Sequence, residues 1–156
     1  VSNVVIYTTN TQVANELGLT TDNNGNYYLW QVPTAPSVVD NFVTQANQFT
    51  TALFGDLSTD LTLFPLAQMF ASKWAALRLV EQLAINWQVS GLRSNLGNIG
   101  IDRLPALTAA ATAVTTRLKE DLNRLYMTLV SVNEGIINSW QPRSPYIVTG
   151  GSAFWW

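Results

Sequence analysis

The sequence predicts a mainly α protein: a helical bundle of about four helices, with a short β element or hairpin and an extended C-terminal tail. Three observations predict it. Apolar residues recur every three or four positions over 38–53, 66–87 and 107–136, the spacing of helices that bury one face. Helix punctuation brackets these runs, with Pro36, Pro65 and Pro105 at their starts and Gly18, Gly55 and Gly91 at ends. Residues 140–156 then lose any useful period. At 156 residues the chain suits one domain with a real core, so the bundle is assigned to 1–139 and the tail to 140–156.

The first helix is expected at about Asn10–Leu17. Thr9 and Gln12 form a capping-box pair, Val13, Ala14 and Leu17 follow, and Gly18 stops the helix. Residues 19–36 form a long connecting loop. Asn23, Asn24 and Gly25 mark a turn in it, Tyr27–Val32 reads as a short strand, and Pro33 and Pro36 close it. Its aromatics Tyr27, Tyr28 and Trp30 argue for a loop that packs on something rather than a disordered one. These three are candidate contact residues.

Ser37, with Asp40 three positions on, opens the second helix. Val39, Phe42, Val43, Ala46, Phe49 and Leu53 give it one apolar face, and Gly55 ends it. The third helix starts near Phe64–Pro65 and carries Leu66, Met69, Phe70, Trp74, Leu77, Val80, Leu83, Ala84 and Trp87 as its stripe. Between Arg93 and Arg103, Leu96, Ile99 and Ile101 stand among glycines and suggest a short extended segment or hairpin. Gly97 and Gly100 lack the strand–helix setting of a phosphate loop. They read as a turn.

Pro105 opens the fourth helix, whose stripe runs through Leu107, Ala111, Val114, Leu118, Leu122, Leu125, Leu129, Val132 and Ile136. At 1.5 Å per residue it spans roughly 45 Å, whereas a domain this size has a radius of gyration of about 15 Å. The helix therefore bends near Gly135 or extends past its own domain. Arg117, Lys119, Glu120, Asp121 and Arg124 form its polar face, read as solvated.

Composition narrows the chemistry. Only 12% of residues are charged, about half the usual share, and polarity comes from 17 Thr and 14 Asn. With no Cys and no His, disulfides, thiolate nucleophiles, Cys/His zinc sites and imidazole bases are excluded. Asp56 and Asp60 lie in an inter-helix loop, Glu120 and Asp121 diverge on a helix, and Glu81 has only Lys73 and Arg78 as nearby bases. No nucleophile has a visible base. The expectation is a protein that is not an enzyme and holds no cofactor or metal.

The net charge of −2 argues against a general nucleic-acid coat. Its distribution says more. Residues 1–72 carry five acids and no base, whereas 73–156 carry all eight bases and five acids. Such asymmetry suits head-to-tail packing of identical subunits. Val1–Tyr7 has no basic, signal-like start, and no run of about 18 apolar residues occurs. The reading is a soluble chain made inside a cell, with no membrane partner.

The tail is the most telling feature. Trp140, Tyr146, Phe154, Trp155 and Trp156 stand among Pro142, Pro145, Gly150 and Gly151, with Tyr146–Thr149 as a possible short strand. Each large aromatic buries about 150–250 Å² when covered, and exposing several together invites aggregation. Either they fold back on the domain or they plug into a partner. The second reading makes these five the candidate partner-binding residues.

Taken in order, Ile6-Tyr7-Thr8-Thr9 leads into a short helix ending Glu16-Leu17-Gly18-Leu19. A Val38–Leu53 helix ending near Phe54-Gly55 follows, then the long 65–87 helix, a Leu-Gly-Asn-Ile-Gly-Ile segment over 96–101 and a last long helix. Over about residues 5–130 that order resembles the head–tail connector (adaptor) proteins of tailed bacteriophages. The resemblance implies a helical subunit of a twelve-membered ring in the virion neck, made in the host cytoplasm. Such a ring sits beneath the portal protein, extends the DNA channel without reading sequence, and offers a platform to the next neck or tail protein. C-terminal segments in this family commonly reach the portal. The 19–36 loop is longer than the family's minimal form, and Phe154-Trp155-Trp156 is not a family motif. The alternative is another virion structural subunit, such as a head-closure, neck or coat protein.

Overall fold

A computed structural model describes residues 3–30, 32–89 and 104–132. Among these the fold is mainly helical, with four helices and a small antiparallel sheet. The order is α1 (Asn10–Leu17), β1 (Thr20–Thr21), β2 (Tyr27–Leu29), β3 (Val32–Thr34), α2 (Pro36–Phe54), α3 (Leu63–Val89) and α4 (Leu104–Val132). The expected segment at 93–103, the bend at Gly135 and the tail at 140–156 lie outside the described residues.

Helix α1 has the predicted bounds because both of its stops are local. Thr9 and Gln12 form the reciprocal capping box, and Gly18 takes the left-handed conformation at φ 67° that ends the helix without a Cβ clash. The amide of Leu19 then donates to the carbonyl of Ala14 at 2.8 Å.

The 19–36 connection is not a loop with one strand. It holds a three-stranded antiparallel sheet in the order β1-β2-β3. Leu29 pairs with Val32, so the expected Tyr27–Val32 strand is broken in its middle. Trp30 causes the break: at φ 51° it is in the left-handed region, and the chain reverses there. Leu29, Val32 and Thr34 are buried, and Tyr27 and Trp30 pack against the core edge. Asp22 organises the first turn, accepting from the amides of Asn24 and Asn26, both at 2.9 Å, and from the Tyr28 hydroxyl at 3.0 Å. These bonds hold the Asp22 carboxyl below its usual range, the Asn26 amide contributing most.

Helix α2 begins one residue before Ser37, at Pro36, with Ala35 as an N-cap that offers no side-chain bond. Gly55 ends it as expected. Asp60 caps α3 instead, accepting from the amides of Thr62 and Leu63, both at 2.9 Å.

Helix α3 departs from its expected single stripe. Ala67, Phe70, Ala71, Ala75, Ala76, Leu77, Leu79 and Val80 are all at or near zero exposure, while Met69 of the predicted stripe is 48% exposed. The reason is position. α2, α4 and α1 all pack on α3, so its middle turns keep little solvent-facing surface, mainly at the Arg78 side chain. Small Ala residues let these neighbours approach closely. Phe49 stacks on Trp74 at 5.0 Å, and Phe54 meets Phe70 edge-on at 5.3 Å. On α4 the predicted stripe holds through Leu107, Ala111, Leu118, Leu122 and Leu129, with Tyr126 added.

Candidate functional site

Residues 3–9 run as an extended segment along α2, held by side chains instead of a neighbouring strand. Asn47, buried on α2, accepts through Oδ1 from the amides of Tyr7 and Thr8 at 2.8 and 2.9 Å. Its Nδ2 donates back to the Thr8 carbonyl at 3.2 Å. The Val5 amide donates to Thr51 Oγ1 at 3.0 Å. Ser72 Oγ donates to the Gln68 carbonyl at 2.9 Å, which leaves its oxygen to accept from the Thr8 hydroxyl at 2.8 Å.

Tyr7 locks the far end of this clamp. Its ring packs on Phe64 at 5.6 Å, its hydroxyl donates to the Gly55 carbonyl, and it accepts from the Leu57 amide at 2.9 Å. The α2–α3 turn is thus tied to the N-terminal segment. Burial pushes the Tyr7 phenol above its ordinary value, partly countered by the Leu57 amide, with Asp56 adding to the rise. A pKa raised on folding means that stability is full below the unfolded value, about 10, and falls as pH climbs through the folded one. Tyr7→Phe should lose about 1–2 kcal/mol at neutral pH, and its urea midpoint should lose much of the wild type's decline above about pH 10.

Clamping the segment leaves its alternate side chains outward, with Val4 46% and Ile6 63% exposed. Val4 lines an open depression with Gln48, Thr51, Ala52, Gly55 and Asp56, which places it at the α2–α3 turn. Leu61, 92% exposed, lies in that turn. Tyr126 of α4 packs on Phe54 at 5.9 Å, so Val132, 55% exposed, projects from α4 at the same end. Met69 is in the second turn of α3. Among the described residues, five of the six exposed large apolar side chains therefore belong to this end, and Ile85 belongs to the other. Scattered exposed apolar residues are ordinary, but a collection at one end marks a surface suited to a partner.

Ionic contacts lie elsewhere. Lys73 on α3 joins Glu16 of α1 at 2.7 Å and Asp121 of α4 at 3.3 Å, and Asp121 also holds Arg124 at 2.7 Å. Asp121 is therefore turned inward from the expected solvated face, whereas Glu120 is exposed. Arg78 pairs with Glu81 at 3.3 Å and lies 5.7 Å over the Trp74 ring. Asp56 accepts from the Ser58 hydroxyl and amide, which hold its carboxyl below the usual range.

The end depression has one ionisable side chain, Asp56. A depression between α3 and α4 has only Glu81, among Ala84, Ile85, Thr108 and Thr112. A third, beside Phe42, holds the Arg78–Glu81 pair. Among the described residues no group of three or more His, Cys, Asp or Glu is placed to hold a metal ion. No described helix is long and apolar enough to cross a membrane.

Of the sequence-predicted site residues, Tyr27, Tyr28 and Trp30 lie in or beside the small sheet, with Tyr28 bonded to Asp22. Trp140, Tyr146, Phe154, Trp155 and Trp156 lie outside the described residues. Sequence reasoning missed the end surface, because Val4, Ile6, Leu61 and Val132 are brought together only by the fold. The exposed alternation of Val4 and Ile6 was its one legible trace.

No family model matches the chain, and no curated protein or solved structure matches it either.

Proposed function

We propose that this chain is a virion structural protein, a head–tail connector subunit that assembles as a ring, docks beneath a portal and extends the DNA channel toward the tail. The single observation that carries the docking part is the collection of exposed apolar residues at the end formed by the α2–α3 turn and the last turns of α4. The described residues end with α4 at Val132, at that end, and the aromatic residues of 140–156 follow it in the sequence. Apolar end and aromatic tail would then engage one partner together, with burial of apolar area offsetting the ordering of the tail. The order of elements from Ile6 to α4, which resembles the connector family, supports the choice of partner. The work of such a subunit is mechanical and topological: it holds a channel open and joins two larger assemblies.

The test is binding of the full chain, and of a chain lacking residues 152–156, to a purified portal ring from the same particle. The truncated chain should keep the wild-type melting temperature and bind at least about tenfold more weakly, a loss of about 1.4 kcal/mol or more. Normal docking without those residues, or a truncated chain that no longer folds, would overturn the role given to the tail.

A further inference from the structure

The depression at the apolar end has the make-up of a seat for one aromatic side chain. Val4 and Ala52 give it apolar walls, and Gln48, Thr51 and Asp56 add polar groups around them. Val4, Gln48 and Ala52 are exposed, and the space over Gly55 is open, since a Cβ there would meet nothing within 4 Å. The volume is about 370 Å³, at the small end of the roughly 300–1,000 Å³ that ligand pockets span. It suits one large ring, not a folded element. Asp56 supplies direction. Both of its bonds among the described residues, from the amide and hydroxyl of Ser58, fall on Oδ1, which leaves Oδ2 to accept. A carboxylate oxygen beside an apolar wall matches a ring with an apolar body and one N–H or O–H at its edge. Tryptophan and tyrosine have that form, and phenylalanine does not.

We propose that Trp140 of the same chain occupies this depression, its ring against Val4 and Ala52 and its indole N–H donating to Asp56, so that the tail is fastened at its base. Position and chain length name this occupant. Phe54, next to Gly55 and Asp56, packs on Tyr126 of α4. Val132 lies six residues past Tyr126, about 9 Å of helical rise, and neighbouring helices stand about 8–10 Å apart. Trp140 follows Val132 by eight residues, a reach of up to about 26 Å, which covers that path and the way round α2. Tyr146 and the terminal aromatics reach it too, but Trp140 is the first aromatic after α4 and closes the shortest loop, at the least cost in entropy. The seat needs only the free subunit, so it goes beyond the docking reading without resting on it. Together the two divide the tail: Trp140 anchors it, and Phe154, Trp155 and Trp156 are left for a partner.

The experiment is fluorine NMR on the full chain labelled with 5-fluorotryptophan. Six tryptophans give six signals, and Trp140→Phe identifies the one in question. In wild type the Trp140 signal should stand apart from that of free fluorotryptophan, shift little between H₂O and D₂O, and stay the same on dilution. Ala52→Glu places a charge on the wall of the depression, at an exposed position of α2. It should send the Trp140 signal to the solvent position, with the seated population at least about tenfold lower. The signal of Trp74, which packs between α2 and α3 on Phe49, should not move, which shows that the bundle is intact. A Trp140 signal at the solvent position in wild type overturns the seat, as does one that ignores Ala52→Glu or a response from Trp155 or Trp156 in its place. Protection that disappears on dilution places the ring in a second copy and overturns the same-chain assignment. A seated Trp140 in a chain that fails to bind a portal counts against the docking reading and leaves the seat standing.

Discussion

Asn47→Leu lowers the unfolding free energy by about 4 kcal/mol, the first of two large expected losses. The substitution keeps the branching at Cγ, with a somewhat larger side chain, but strips the partner from three buried backbone groups at once: the amides of Tyr7 and Thr8 and the carbonyl of Thr8. Each orphaned buried group costs about 1–3 kcal/mol, and no water can follow into a site where Tyr7 and Thr8 are at most 1% exposed. The effect has a place as well as a size. Hydrogen exchange at the Tyr7 and Thr8 amides should rise before that of α3, because the N-terminal segment lets go first. Asn47→Asp should fall between wild type and the leucine variant, since it keeps the acceptor and loses the donor. If the chain docks on a portal as proposed, that binding should weaken too, because Val4 and Ile6 are presented by that segment. If Asn47→Leu melts within a degree of wild type, the clamp is not what holds residues 3–9.

Phe70→Ala is the second large loss, at about 3–5 kcal/mol. Phe70 is fully buried on α3, with Phe54 edge-on at 5.3 Å and Phe49 stacked at 6.3 Å. Its removal opens a cavity between α2 and α3 that the two remaining rings, on stiff helices, cannot collapse to fill. For a domain of this size the melting temperature should fall by roughly 10 °C, and the denaturant midpoint should move without a change in slope. Phe70→Leu, which keeps most of the volume, should cost about 1–2 kcal/mol. Unlike the Asn47 variant, Phe70→Ala loosens the whole molecule. Exchange should therefore quicken in α2, α3 and α4 alike.

These two residues show where sequence reading succeeds on this chain and where it stops. α1 was legible to the residue because Thr9, Gln12 and Gly18 act over three or four positions. The ends of α2 at Gly55 and of α3 near Pro65 were legible for the same reason. The wide burial of α3 was not, since a helix packed by several others has the same composition as one with a wide stripe, and only the packing tells them apart. The sheet was hidden by strands of two and three residues, too short to display a period, and by a tryptophan in the left-handed region, where a sequence gives no cue. Asn47 was invisible for a different reason. Its partners are 39 and 40 residues away, and nothing in TQANQ, residues 44–48, distinguishes a clamp from a surface amide.

The candidate site divides in the same way. Charge asymmetry between the halves was readable from the sequence, but the pairing of Lys73 with Glu16 and Asp121 needed the fold. The exposed apolar end is assembled from an N-terminal segment, an inter-helix turn and a helix terminus, none of which is conspicuous alone. The aromatic residues of 140–156 stood out at once because composition, not geometry, marks them.

The most direct measurement of the central claim is copy number. Quantitative mass spectrometry on gradient-purified particles from a culture that makes this chain would count it against the portal in the same run. The connector account predicts about a dozen copies, one ring per portal ring. Hundreds of copies would make the chain a coat protein, and absence from the particle would contradict a structural role in it.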